Sequence, residues 1–407
     1  MVTIRPELVA RWTALNATEL PEVRLQLRDH VLDEDNLDFV VRVVQNRNMV
    51  FPDIDGPADL VVRTAATGAG LVARLEHQRL SQAQLYWVDE DMTSLALAAD
   101  TASREPVRTR RMPAEAGLMV FAHPIGGRDL DPAVSLANLG YPNACRPGTL
   151  LMPTPIVAVS WSPVTTADLH LDDIPAARWN RTTPDGPVPL ERSFHGLWLT
   201  FWTPGGQGWD ALPPDAVFSG GPGVSVTAGE LVDIERREGV PPLRSLAETL
   251  LAFDRPLPRP VPDTEHHWAH VVYTTWQIMA QTGTAQLADT ETLHRPRRAL
   301  KRDRRDGITT PGGVQLVRVH TRHRPTDQAR AQDAQQSQHR RVPQWTRRWP
   351  VRPYRRNTCL NPHLHATGDC EHQETVVPGH IKGPADKPLV ITDRVQLVDA
   401  PPPAEGT

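Results

Sequence analysis

The sequence LYWVDEDMTSLALAA, residues 85–99, decides the fold class. Its first four residues are apolar or aromatic and predict a short buried strand. Asp91 then predicts the N-terminal cap of a helix that continues through Ala99. A second apolar run, GLMVF at residues 117–121, predicts another strand. This part of the chain therefore combines strands and a helix within a few tens of residues.

Outward from this stretch, short apolar runs predict further strands, and apolar residues at mixed spacings of three and four predict helices. The predicted strands cover residues 156–161, 196–202 and 314–319. The predicted helices cover residues 20–48 (one helix or two joined), 71–80, 245–253 and 267–281. Because strands and helices do not alternate regularly, the pattern indicates an α+β body and not a doubly wound parallel sheet.

Length and composition exclude several classes of protein. The chain has 407 residues, a length sufficient for two domains. Its 40 prolines predict additional segments without regular secondary structure. It has no Gly-X-Y period, no long heptad run and no apolar stretch near the roughly 20 residues that span a bilayer. The start lacks an apolar signal-peptide core, so we expect a protein without a membrane partner.

Alternating prolines divide the predicted body from a basic region. Pro256, Pro258, Pro260 and Pro262 forbid a helix and favour an extended linker. The predicted organisation is an acidic α+β body (1–255), a proline-rich linker (256–265), a basic helix with a small, partly irregular C-terminal module (266–398) and a disordered tail (399–407).

Charge is distributed unevenly along the chain. The formal net charge is only -4, from 44 Lys and Arg against 48 Asp and Glu. Residues 294–356 contain 18 of the Lys and Arg residues and 4 of the Asp and Glu residues, a net charge of +14. The remainder of the chain has a net charge of -18. Such a separation predicts either a polyanion bound to the basic segment or an internal acidic partner for it.

Two arginine-rich clusters are candidate nucleic-acid-binding sites. On a helix, the first cluster places five cations on one face through i+3 and i+4 spacing: Arg297, Arg298, Lys301, Arg302 and Arg305. The second interleaves cations with aromatic residues over residues 340–356, which suits contact with phosphates and stacking on exposed bases. Its candidate residues are Arg347, Arg348, Trp349, Arg355 and Arg356. The alternatives are a solvated face or an intramolecular cover for the acidic body.

Cysteines and histidines near the C-terminus form a candidate zinc site. The candidate ligands are Cys359, His363, Cys370, His372 and His380. Thiolate and imidazole are the ligands that zinc prefers, and a tetrahedral site could organise a segment with few apolar residues. The spacing differs from that of a zinc finger, so an ordinary histidine-containing loop is the alternative.

Three cysteines are too few for a disulfide framework, so we expect a reduced, cytoplasmic protein. His266 and His270 could chelate a metal from one helix face, although a histidine cluster without metal is the simpler interpretation. The glycine-rich residues 203–209 predict a turn and not a phosphate-binding loop. The sequence has no nucleophile elbow, Walker motif or dinucleotide fingerprint.

Several phrases resemble a group of uncharacterised proteins encoded by actinobacteria and by their phages and plasmids. They include LYWV followed by MTSLALAA (85–99), GLMVF (117–121), WQIM (276–279) and HIKGPADKPL (380–389). The resemblance extends in pieces over residues 85–398. It implies an actinobacterial or mobile-element context, and it supplies no catalytic residues because the group has no established activity.

Taken together, these features predict a non-enzymatic accessory or regulatory protein that binds nucleic acid through its arginine-rich segment. One alternative is an enzyme of unknown reaction, whose pocket in the α+β body would unite His123, His170 or His195 with nearby carboxylates. The other is a protein–protein interaction module, in which the basic region docks on the acidic body of a second copy.

Overall fold

The computed structural model describes most of the chain in two compact units. One unit covers Val2–His320 and the other consists mainly of Thr321–Thr407. The described residues are 4–45, 52–53, 58–99, 106–138, 151–170, 178–183, 186–206, 208–221, 224–281, 286–320, 346, 348–351, 354–359, 372–377, 380–384 and 387.

A seven-stranded mixed sheet forms the centre of the first unit. Its strands, in spatial order, are β12 (Leu243–Ala252), β9 (His195–Pro204), β6 (Ala158–Thr165), β3 (Gly117–Phe121), β2 (Gln84–Val88), β14 (Val314–Val319) and β13 (Ala288–Leu293). The strand β2 is parallel to both of its neighbours, whereas the other pairings in this sheet are antiparallel. The predicted α+β class is confirmed.

Helices cover both faces of this sheet. On one face, α2 (Leu20–His30) and the end of α4 (Ala58–Gln82) share an apolar core with Leu85 and Leu118. On the other face lies α8 (Glu265–Met279), where the rings of Trp161 and Trp276 have centroids 4.8 Å apart. Because both faces are covered, strand β3 is buried at every position.

Smaller elements surround this core. The remaining helices are α1 (Pro6–Ala10), α3 (Glu34–Gln45), α5 (Glu90–Ala99), α6 (Pro132–Asn138), α7 (Ala228–Glu238) and α9 (Arg297–Arg305). The remaining strands of this unit are β1 (Pro52–Asp53), β4 (Gly126–Leu130), β5 (Met152–Ile156), β7 (Arg178–Thr183), β8 (Gly186–Pro189), β10 (Val217–Gly221) and β11 (Val224–Thr227). Within the described residues, no helix combines the length and the apolar character needed to cross a bilayer.

Two local predictions are wrong. The sequence predicts a helix over residues 245–253, because Leu, Ala and Glu favour helices, yet residues 245–252 lie in strand β12 and pair with β9, with a register shift between Ser245 and Ala247. This tertiary pairing outweighs the weak helix propensity. The cap of α5 is Asp89 and not Asp91, since a carboxylate oxygen of Asp89 accepts a hydrogen bond from the backbone N–H of Met92 at 2.7 Å.

The proline-rich segment 256–265 lies within the first unit, and the division between the units falls after His320. Leu257 is buried in this segment. The carbonyl oxygen of Pro258 lies 2.7 Å from Nε2 of His270 on α8. The prolines lie outside any helix, as predicted, and this segment packs on the body instead of linking two units.

The C-terminal unit contains two antiparallel strand pairs. In the first, β15 (Trp349–Val351) pairs with β18 (His380–Lys382). In the second, β16 (Tyr354–Cys359) pairs with β17 (His372–Val377). The segment 326–338 and the predicted tail 399–407 lie outside the described residues.

Candidate nucleic-acid interface

The first arginine cluster forms helix α9. The helix begins after Pro296, whose fixed φ suits the position before a first turn, and it ends before Gly307, which adopts φ +83°. Between these limits the sequence RRALKRDRR contains six cations and one acid. The orientation of the helix therefore decides which charges face solvent.

The acid of α9, Asp303, is completely buried. Its carboxylate oxygen Oδ2 lies 3.2 Å from Nη2 of Arg24, which is 1% exposed. Arg295, just before the helix, also contacts the Asp303 carboxylate with both terminal nitrogens, one of them at 3.2 Å from Oδ1. Two guanidinium groups thus surround one buried carboxylate, and the contact with Arg24 attaches α9 to α2.

Burial lowers the pKa of Arg24 to about 10, against the opposing effect of Asp303, and the neighbouring cations Arg295 and Arg28 lower it further. The remaining Nη1 of Arg24 donates to the carbonyl oxygen of Ala83 at 3.2 Å. Arg28, one turn later on α2, donates to the carbonyl oxygen of Asp306. Arg24 and Arg28 therefore fix the C-terminal end of α9 to α2.

The cations predicted to form the binding face are all exposed. Arg302 forms an ion pair with Glu22 at 3.4 Å, in which both side chains are at least half exposed. Within the part of the chain that the structure describes, no carboxylate lies within ion-pair distance of the others: Arg297, Arg298, Lys301 and Arg305. Arg304 is exposed in the same way.

The second arginine cluster is described only in part. The Nε of Arg348 donates to the carbonyl oxygen of Lys387 at 2.7 Å, and Trp349 is half-buried at the start of β15. Arg355 and Arg356 lie on strand β16, with their side chains outside the described part, and Arg347 lies outside it altogether. Arg348 is therefore engaged within its own unit.

The candidate zinc ligands are likewise described through backbone alone. Cys359 and His372 are direct cross-strand partners at the end of the β16–β17 pair, and His380 is opposite Val351. His363 and Cys370 lie outside the described residues. In the described part of the chain, no group of three or more His, Cys, Asp or Glu side chains could hold a metal ion.

The histidines proposed for an active site have separate neighbours. His123 lies 3.4 Å from Glu90, and His195 packs edge-on against Phe253 with ring centroids 4.9 Å apart. At the start of α8, His266, His267 and His270 are buried in the core. Burial lowers the pKa of His266, which favours its neutral form and a packing role.

A buried polar network lies between α4 and the sheet, and sequence reasoning missed it. Ser160, Thr200 and Glu248 are neighbours across three strands. Glu76 on α4 accepts hydrogen bonds from Ser160 at 2.7 Å and from Thr200 at 2.9 Å, and it pairs with Arg79. Burial and the nearby Glu76 raise the pKa of Glu248 to about 8. No local motif could have indicated this row, because strand pairing creates it.

Comparisons with protein-family models, with curated proteins and with solved structures find no match to this chain. The exposed cationic face of α9 is the described feature of the protein that could contact a polyanion.

Proposed function

We propose that this protein binds the phosphate backbone of nucleic acid through α9, as a non-enzymatic accessory or regulatory protein in the cytoplasm, associated with a mobile element. The observation that supports this proposal is the division of charge on the helix. Its only acid is buried against Arg24, and its cations are exposed.

The arrangement matters because like charges at helical spacing repel one another by about 0.2–0.5 kcal/mol per pair. A phosphate backbone would remove this repulsion and release its own condensed counterions. Four or five phosphate contacts on a duplex give a salt dependence with a log–log slope of about -4. Such contacts carry no base specificity, so the proposed binding is independent of sequence.

The experiment measures, by fluorescence anisotropy, the binding of two labelled ligands: a duplex of about 30 base pairs and one of its single strands. The wild-type chain should lose about 250-fold in affinity between about 50 and 200 mM KCl. The variant R297Q/R298Q/K301Q/R305Q removes four exposed cations and should bind about tenfold more weakly or worse at the lower salt. The stronger of the two ligands identifies the preferred form of nucleic acid.

A matched control removes four exposed arginines elsewhere in the first unit, in the variant R63Q/R74Q/R110Q/R192Q. It has the same change in net charge, so it should lose far less affinity if α9 is the site. Equal losses in the two variants, or salt-independent binding, would contradict the proposal. A rise in mass at low salt without nucleic acid, measured by light scattering, would favour docking between two copies.

A second candidate function concerns the C-terminal unit, which we propose to contain a structural zinc ion. The supporting observation is the register that makes Cys359 and His372 cross-strand partners, since residues directly opposite in an antiparallel pair have Cα atoms about 4.5–5.5 Å apart. Cys370 and either His363 or His380 would complete four ligands. The site would hold together a segment with few apolar residues.

Elemental analysis of the dialysed protein tests this second candidate. We expect one zinc per chain in the wild type and in the control C145S, and less than half of that in C359S/C370S. A folded wild-type protein without zinc would exclude the site. Nucleic-acid binding is measured on the same samples, which separates the two proposals.

A further inference from the structure

A pocket of about 200 Å³ lies near the ends of strands β9 and β12, on the first unit. Its polar lining comes from distant parts of the chain: Arg11 follows α1, Arg128 lies on β4 and Arg244 on β12. Among the described residues of the first unit, the cations of α9 are not part of this lining. The pocket is therefore a separate candidate binding site.

The charge of the lining is predominantly positive. Against three arginines, Asp210 is the one carboxylate among the described lining residues, and it forms an ion pair with Arg11 at 2.9 Å. The Asp210 side chain is 71% exposed, so it reaches this arginine from the solvent side. Arg244 has a longer contact, with Nη1 3.9 Å from Oε1 of Glu235.

Arg128 is in a different situation. Its Nη2 donates to the carbonyl oxygen of Leu246 at 3.0 Å, and its buried Nε has no hydrogen-bond partner among the described residues. Burial lowers the pKa of Arg128, and the nearby charge of Glu265 only partly opposes this. A desolvated guanidinium without a paired carboxylate raises the free energy of the folded protein. A bound oxyanion would offset this desolvation free energy through short, charge-assisted hydrogen bonds.

Apolar side chains form a further wall of the pocket. Val31, Phe39, Val40 and Val134 line it, and the guanidinium of Arg244 lies over the Phe39 ring at 5.9 Å from the centroid. Val134 is 43% exposed, so this wall reaches solvent. The combination of arginines with an aromatic and aliphatic wall suits a ligand with an anionic head and a compact apolar body.

The glycine-rich turn 203–209 contributes backbone to the pocket. Gly208 adopts φ +78°, and a Cβ there would lie 3.1 Å from Nη2 of Arg11. A side chain at this position would thus strain the turn and crowd an arginine of the lining. The three glycines lie between β9 and a short helical turn at Trp209–Ala211, and Gly208 leaves the space beside Arg11 open.

We propose that this pocket binds a small organic oxyanion, a carboxylate or a phosphate monoester attached to a compact apolar group, with Arg128 as the main anion contact. Arg11 and Arg244 provide additional positive charge, and the wall around Phe39 contacts the apolar part. The proposal is independent of nucleic-acid binding by α9.

Isothermal titration with phenyl phosphate and with phenylacetate tests the proposal, and benzyl alcohol is the neutral control. We expect at least one anion to bind with a Kd below about 1 mM, and the alcohol not to bind. The better anion distinguishes phosphate from carboxylate. No binding by either anion at about 10 mM, or equal binding of the alcohol, would overturn the proposal.

Variants locate the binding. R128Q should weaken the anion about tenfold or more, whereas R110Q, an exposed arginine elsewhere, should not change it. V134E places a carboxylate in the pocket from an exposed position that tolerates polar residues, and it should also abolish binding. D210N removes the competing carboxylate and should strengthen binding several-fold. Unchanged affinity in V134E and D210N would contradict this location even if R128Q fails to fold.

Discussion

Asp303 of α9 and Arg24 of α2 form a buried ion pair at 3.2 Å, although 279 residues separate them in the sequence. Arg295 contacts the same carboxylate. The basic helix is therefore attached to the body by a group of opposite sign to its exposed face. This relationship leads to the first of five predictions.

Replacement of Asp303 by Ala should destabilise the first unit by about 3–5 kcal/mol, because it leaves two desolvated guanidinium groups without their shared carboxylate. Urea denaturation measures the loss. The control D306A removes an exposed acid three residues later and should change the free energy of unfolding by less than about 0.5 kcal/mol. A similar small effect in both variants would show that the buried pair contributes little.

Replacement of Glu22 by Gln should strengthen nucleic-acid binding about two- to fivefold at low salt, because it releases Arg302 from its ion pair and removes a negative charge beside the face. The gain should disappear at high salt, since the pair is exposed. Anisotropy titrations at two KCl concentrations measure it, with the exposed E115Q as control. An equal gain in E115Q would indicate a general charge effect.

Glu248 should make stability depend on pH. The carboxyl loses its proton near its ordinary value of 4.5 in the unfolded chain, but near 8 in the folded protein, because burial and the charge of Glu76 outweigh the attraction of Arg79. Between these values the folded state binds more protons, so the contribution of Glu248 to the free energy of unfolding decreases as the pH rises from about 4.5 to about 8.

The variant E248Q should lack this contribution and exceed the wild type in stability by about 1–3 kcal/mol at pH 9. Urea denaturation at pH 5, 7 and 9 compares the two proteins, with E191Q as an exposed control. Parallel pH profiles for wild type and E248Q would show that Glu248 does not titrate in this range.

Two glycines should respond to alanine in opposite directions. A Cβ at Gly117 would lie 2.2 Å from Cζ2 of Trp161, so G117A should destabilise by about 1–3 kcal/mol or more. At Gly70, inside α4, nothing lies within 4 Å, so G70A should stabilise by about 0.5–1 kcal/mol through helix propensity. Thermal unfolding of both variants measures the difference, and shifts of the same sign would refute the packing argument.

The anion pocket provides the fifth prediction: ligand should raise the melting temperature of the wild type and not that of V134E. At about 100 times its Kd, phenyl phosphate or phenylacetate should add about 2.7 kcal/mol to the free energy of unfolding. Differential scanning fluorimetry of wild type, V134E and R110Q measures this. A ligand-dependent shift that persists in V134E would place the binding elsewhere.

The sequence allows prediction of what is local. The runs at 85–88 and 117–121 predict their strands, because a short apolar run needs burial on both faces, and charge spacing predicts the exposed face of α9. Strand β12 was mistaken for a helix because its residues favour one locally, and only pairing with β9 reveals the strand. Propensity is a weak guide wherever such pairing competes with it.

The sites depend on long-range contacts, which the sequence alone does not reveal. The sequence around Asp303 does not indicate that this residue is buried, because its partner Arg24 is distant in the chain. The pocket arginines Arg11, Arg128 and Arg244 come from three separate elements, and nothing in their local sequences relates them. Charge composition could indicate a basic region, but it could not indicate a second, smaller cationic site elsewhere.

The parallel pairing of β14 with β2 has a consequence for the order of folding. Without residues 314–319, strand β2 would be the unpaired edge of a sheet, and such edges promote aggregation. During synthesis, the sheet stays incomplete until these residues leave the ribosome, and its closing contact joins segments far apart in the chain, which slows folding. A fragment that ends at the proline-rich segment would therefore leave β2 as an unpaired edge, which favours aggregation of that fragment.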